Sequence, residues 1–213
     1  MAGDSKRLSL SPEEVARGVA HLRERDPIIA RVIEKAGPFA LKPDRDLFKS
    51  LVRAIVAQQI STAAARSIYQ KLLTVTGGEK RLLAGLLKMN DAEFRVAGLS
   101  SQKTRYLRDL AQKVSGKSVR IHHVQRMTND EAIAELTQVV GVGKWTVQML
   151  LIFSLGRLDV FPGDDLGVRT AIKKLYRKRI LPKAKQLGKY EKLWQPYASI
   201  ASWYCWRSLE FTD

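Results

Sequence analysis

The sequence predicts an all-α fold, because helix-start signals recur along it, its apolar residues follow helical spacing, and strand-like alternation is nowhere sustained. Ser11-Pro12-Glu13-Glu14 gives the first start, a serine cap with proline at the first helical position and a carboxylate three residues on, the pattern of a capping box. Asp26-Pro27 opens a second helix in the same way. A loop from Gly37-Pro38 to Asp44 precedes Leu47, Leu51, Ala54, Ile55 and Gln58, which recur at helical spacing. The next helix starts at Ser61 and stops near Gly77-Gly78. Asp91 to Ala97 is a short helix, Ser100 caps another that runs to about Ser115, and Thr128 with Glu131 forms a second capping box. No repeat, low-complexity tract or clear linker interrupts this pattern. The expected architecture is a helical bundle with short connections over residues 12–213, as one domain or two packed lobes, behind a flexible polar lead at residues 1–11.

Composition narrows the partner. The 213 residues carry 37 Lys+Arg against 21 Asp+Glu, a formal charge of +16, and the complement of such a surface is a polyanion. A membrane is disfavoured, since the basic residues are interspersed with acids and no segment approaches the run of about 20 apolar residues that spans a bilayer. Residues 1–11 lack the apolar core of a signal peptide, so the expected setting is intracellular: bacterial cytoplasm or nucleoid, or the nucleus of a eukaryote. The single cysteine, Cys205, excludes an internal disulfide and any cluster needing four thiolates from this chain. His21, His122 and His123 have no second ligand type at metal spacing, which sets catalytic metal chemistry aside.

The most informative stretch runs from Leu136 to Asp165. Gly141-Val142-Gly143, between two helical patterns, lets the chain reverse tightly and brings bare backbone amides to the surface, where they can hold a phosphate. Taken alone, the same glycines also suit an ordinary turn between packed helices. Downstream, Arg157 to Pro162 reads as a loop, and Asp164-Asp165 sits where the next helix starts. A carboxylate there caps the helix or does chemistry, and local sequence alone does not separate the two.

The ordered segments VRAIVAQQISTAAARSIYQKL (52–72), GLSSQKTRYLRDLA (98–111), LTQVVGVGKWTVQMLL (136–151), DVFPGDDLGVR (159–169) and LWQPYASIASWYCW (193–206) resemble the helix-hairpin-helix DNA glycosylase superfamily. Within it the chain looks most like the AlkA type of 3-methyladenine DNA glycosylase, in a compact form without the N-terminal β-rich domain of the prototype. The resemblance spans roughly residues 12–210. It implies a two-lobed helical fold with an active-site cleft between lobes, the hairpin at about residues 136–146 on its rim, and hydrolysis of the N-glycosidic bond of alkylated purines in double-stranded DNA. A monomer with no protein partner and no required cofactor suits that task.

Site roles carry over residue by residue. The resemblance implies that Gly141, Gly143, Lys144 and Thr146 present the hairpin to DNA phosphates, and that the carbonyls of Thr137, Val139 and Val142 hold Na+ or K+ there. Asp165 is the implied catalytic residue, with Asp164 as neighbour or cap. Gln58, Gln59, Ile60 and Ser61 occupy the segment that enters the base stack, with Gln59 or Ile60 as the inserted side chain. Trp145 and Tyr197 are the implied pocket walls for a cationic base, while Trp194, Trp203 and Trp206 read as core aromatics. Lyase-competent relatives place a lysine two residues after the second hairpin glycine, where this chain has Trp145, so water rather than a lysine amine is the expected nucleophile. Lys103, Arg105 and Arg169 are candidate phosphate contacts or simply a solvated face. A non-catalytic module that binds DNA structure is the alternative.

Overall fold

The computed structural model describes residues 10–211, and among these every regular element is helical, without a strand. Of the expected flexible lead, residues 1–9 lie outside the described residues, whereas Ser11 already caps the first helix. Among the described residues two compact units form, one from residues 10–43 and 151–211 and the other from Asp44–Leu150.

The first unit is discontinuous in sequence. It holds α1 (Pro12–Arg25), α2 (Pro27–Ala36), α10 (Leu166–Leu175), α11 (Gly188–Trp194) and α12 (Ala198–Ser208). The Ser11 side chain accepts from the Glu14 amide at 3.2 Å, as a cap should. The reciprocal half of the expected box does not form, because Glu14 turns inward to take the Tyr197 hydroxyl at 2.7 Å. Asp26 caps α2 through Oδ1 and accepts from Trp194 Nε1 at 2.8 Å and from the Tyr176 hydroxyl through Oδ2, so this buried carboxylate is satisfied from three elements. At the centre lies α12, most of whose residues are buried against α1, α2 and α10. A glycine on α1 allows the close approach: a Cβ at Gly18 would stand 2.6 Å from both Ile200 and Tyr197.

The second unit holds α3 (Leu47–Ala57), α4 (Thr62–Thr76), α5 (Leu82–Lys88), α6 (Asp91–Val96), α7 (Ser101–Ser115), α8 (Asn129–Leu136) and most of α9 (Lys144–Phe153). Leu51, Val52, Ile55, Leu72, Leu86, Phe94, Leu107 and Leu110 are buried in its core. The expected caps at Ser61, Ser100 and Thr128 each accept a backbone amide, and Thr128–Glu131 is a complete capping box. Gly77 ends α4 in the left-handed conformation. The helix at α5 and the short 3-10 helices at Glu79–Arg81 and Ile121–Arg126 add to the expected set. They are short, and their apolar residues do not extend over enough turns to show a period.

Among the described residues no helix is long and apolar enough to cross a membrane, and no group of three or more His, Cys, Asp or Glu is placed to hold a metal ion.

Candidate functional site

Within the second unit, residues 137–143 make the tight connection from α8 to α9. Val142 N donates to Val139 O at 3.0 Å, and Gly141 takes φ +83°, a region L-residues rarely adopt. A Cβ at Gly141 would also stand 2.2 Å from the Tyr106 ring, so both conformation and packing demand glycine. Nothing crowds Gly143. Among the described residues the amides of Gly141, Gly143 and Lys144 have no acceptor, which leaves three donors clustered at the start of α9.

The hairpin is braced from outside. Asp109 Oδ2 on α7 accepts from Val140 N at 2.8 Å and from Lys113 Nζ at 2.9 Å, and Lys113 Nζ also donates to Gln138 O at 2.6 Å. Gln58 Nε2 donates to Gly141 O at 2.9 Å, tying the segment after α3 to the turn. Just below the hairpin, Glu135 accepts from Arg120 through both carboxylate oxygens and from the Arg120 amide. The Arg120 guanidinium holds the Glu135 carboxyl below its usual range.

Next to Gln58, Gln59 stands at φ +58° and is exposed, Ile60 is 37% exposed, and Ser61 is occupied as the cap of α4. Lys103 Nζ donates to Val56 O at 2.7 Å, in the last turn of α3, and burial lowers its pKa. Arg105 stacks over Tyr106, and Arg169 Nε donates to Pro182 O at 2.8 Å. At the head of α9, Lys144 is exposed and Trp145 is 47% exposed, while Thr146 turns inward and is buried.

In the first unit, Asp165 is itself the cap of α10. Its Oδ1 accepts from Val168 N at 2.8 Å, and its side chain is buried, whereas Asp164 is exposed. The loop before it is pinned to α12: Ser199 N donates to Leu158 O at 3.0 Å and Val160 N donates to Ser199 Oγ at 2.9 Å. In that loop burial pushes the Asp159 carboxyl up. Trp206 Nε1 donates to Asp165 Oδ1 at 2.8 Å, which corrects the expectation that Trp206 is only a core aromatic. Trp194 is fully buried in the core, and Trp203, edge-on to Phe39 and Tyr204, packs against it partly buried.

Tyr197 lies in the same unit, buried, with its ring 5.4 Å from that of His21 and its hydroxyl on Glu14. Burial pushes the phenol up, and the Tyr197 hydrogen bond holds Glu14 below the usual carboxylate range. Sequence reasoning missed Asp109, Lys113 and Trp206. The first two form an unremarkable (i, i+4) pair on a helix surface. For Trp206 the only local hint was Gly167, a glycine inside the first turn of a helix.

A model of the HhH-GPD superfamily of base excision DNA repair proteins matches residues 52–196. The chain is 31% identical over 200 residues to DNA-3-methyladenine glycosylase 1 of Schizosaccharomyces pombe, covering 91% of this chain and 87% of that one. Of the solved structures it resembles, DNA-3-methyladenine glycosidase from Bacillus halodurans superposes with a TM-score of 0.82 at 32% identity, covering 94% of this chain and 90% of that one. The 3-methyladenine DNA glycosylase of S. pombe in complex with abasic DNA superposes with a TM-score of 0.77 at 29% identity, covering 92% and 98%.

Proposed function

From the premise that the chain belongs to the HhH-GPD superfamily of base excision DNA repair proteins, we propose that it is a monofunctional DNA glycosylase that hydrolyses the N-glycosidic bond of alkylated purines in double-stranded DNA. The observation that carries this reading is Asp165, a buried carboxylate held by an amide and an indole N–H at the head of α10.

Loss of the base with the bonding electron pair leaves positive charge on the deoxyribose, and a fixed carboxylate stabilises that charge as it develops. Water then adds to the sugar carbon and gives up a proton, leaving a free base and an abasic site. Asp165 takes both tasks, as electrostatic partner of the sugar and as acceptor that orients the water. Alkylation at N3 or N7 of a purine makes the base cationic and a good leaving group, so little acid catalysis is needed. Trp145, 47% exposed, serves as a stacking face for such a base, whereas Tyr197, expected as the other pocket wall, is buried in the core with its hydroxyl committed to Glu14.

The hairpin supplies the grip on the backbone through the amides of Gly141, Gly143 and Lys144. The carbonyls of Thr137, Val139 and Val142 would hold Na+ or K+ through neutral oxygens, of which Val139 O also accepts from Val142 N. Gln59 and Ile60, exposed after α3, fill the stack once the nucleotide is extruded, a step that costs a few kcal/mol. The DNA relatives named above support the substrate class by similarity.

A panel of duplexes each carrying one lesion tests the reading. Release of an alkylated purine, an abasic product and no borohydride-trapped adduct are expected. Trapping of a covalent adduct would make the enzyme a lyase, and lesion-independent binding without base release would make it a non-catalytic DNA-binding module.

A further inference from the structure

We propose that Trp206 is a positioning residue for Asp165, fixing its carboxylate for base release; the inference rests on the glycosylase reading above. A helix cap needs one bond from the carboxylate, and Val168 N provides it at 2.8 Å. Trp206 Nε1 adds a second at 2.8 Å, from α12, an element 41 residues away in sequence. Both bonds fall on Oδ1, so the carboxylate cannot exchange its two oxygens without breaking both. Without the indole, one of these two bonds on Oδ1 is lost.

The surroundings are shaped for this contact. A Cβ at Gly167 would stand 2.8 Å from Trp206 Cδ1, 3.0 Å from Trp206 Nε1 and 3.0 Å from Asp165 Oδ1. Any side chain there would push the indole from the carboxylate. Glycine inside a helix destabilises it relative to alanine, and at this position it lets α10 and the indole approach. Phe153 packs on Trp206 at 5.4 Å between ring centroids and restrains the indole further. Trp206 is only partly buried, so hydrophobic burial does not by itself account for a tryptophan whose N–H meets Asp165.

The test is single-turnover base release from methylated DNA by wild type, Trp206→Phe, Asp165→Asn and the double variant. Phenylalanine keeps an aromatic ring against Phe153 and removes the donor. The expected rate loss is about ten- to hundredfold, the range for removing a hydrogen bond to a charged group, with the half-saturating enzyme concentration unchanged within about twofold. In the Asp165→Asn background Trp206→Phe should cost at most about twofold more, because its effect runs through the carboxylate. An undiminished rate, or an equal fold loss in both backgrounds, overturns the proposal. If Trp206→Phe does not fold, β-(3-benzothienyl)alanine placed at 206 keeps the indole shape without the N–H and carries the same expectation. Wild type that releases no base from any lesion overturns the glycosylase reading and this inference together, whereas full activity in Trp206→Phe overturns this inference alone.

Discussion

Replacing Asp165 by asparagine separates chemistry from capping at one position. Asparagine caps helices about as well as aspartate, and its amide oxygen can still accept from Val168 N and Trp206 Nε1, so stability should change by less than about 1 kcal/mol. What disappears is the negative charge. For a cationic sugar about 4 Å from the carboxylate at an effective dielectric of about 20, the lost attraction is about 4 kcal/mol, or about a thousandfold in rate. Single-turnover release of base from methylated DNA measures the rate, and a urea unfolding curve on the same protein measures the fold. Asp165→Ala should behave differently, because it removes the cap, at about 1 kcal/mol, and also strips the acceptor from the Trp206 indole. Equal rates for wild type and Asp165→Asn, with both folded, would remove the charge from the mechanism and leave Asp165 as a cap only.

Other expectations concern the fold that carries these groups. Gly141→Ala must hold φ +83° and displace the Tyr106 ring, so it should lose about 1–3 kcal/mol and weaken duplex binding, while Gly143→Ala, with nothing within 4 Å, should unfold like wild type; equal stability of the two variants would contradict the geometry. Asp26→Ala removes the cap of α2 and leaves the buried Trp194 indole without its acceptor, a combined loss of about 2–5 kcal/mol in urea unfolding; a loss below about 1 kcal/mol would show that the cluster is dispensable. For Glu135, whose folded pKa is depressed by Arg120, the stabilisation is fully present above the unfolded carboxylate value of 4.5 and is lost as pH falls through the folded value. The stability gap between wild type and Glu135→Gln should therefore be constant near neutrality and close only in acid; a gap that widens below pH 4.5 would reverse the sign of the linkage.

The helix starts were legible because capping is local. Ser61, Ser100 and Thr128 each bond an amide three residues ahead, and a reader of the sequence sees both partners at once. The hairpin turn was legible for the same reason, since Gly141 must supply a backbone that other residues resist. Legibility failed in α12, where burial on nearly every side erases the apolar stripe that marks a surface helix. It failed also at Ser11, where the expected carboxylate partner, Glu14, bonds instead to Tyr197, 183 residues on.

By itself the sequence determined the helical class, the turn at Gly141 and the position of a carboxylate at the start of a helix, because each depends on residues within about one turn of one another. Only the tertiary structure decided what holds those features in place. Gln58 reaches Gly141 across 83 residues, Asp109 reaches Val140 across 31, and Trp206 reaches Asp165 across 41. No local preference encodes such pairs: each exists because packing of separate helices brings a donor to an acceptor, and that approach is fixed by the core rather than by the residues that meet.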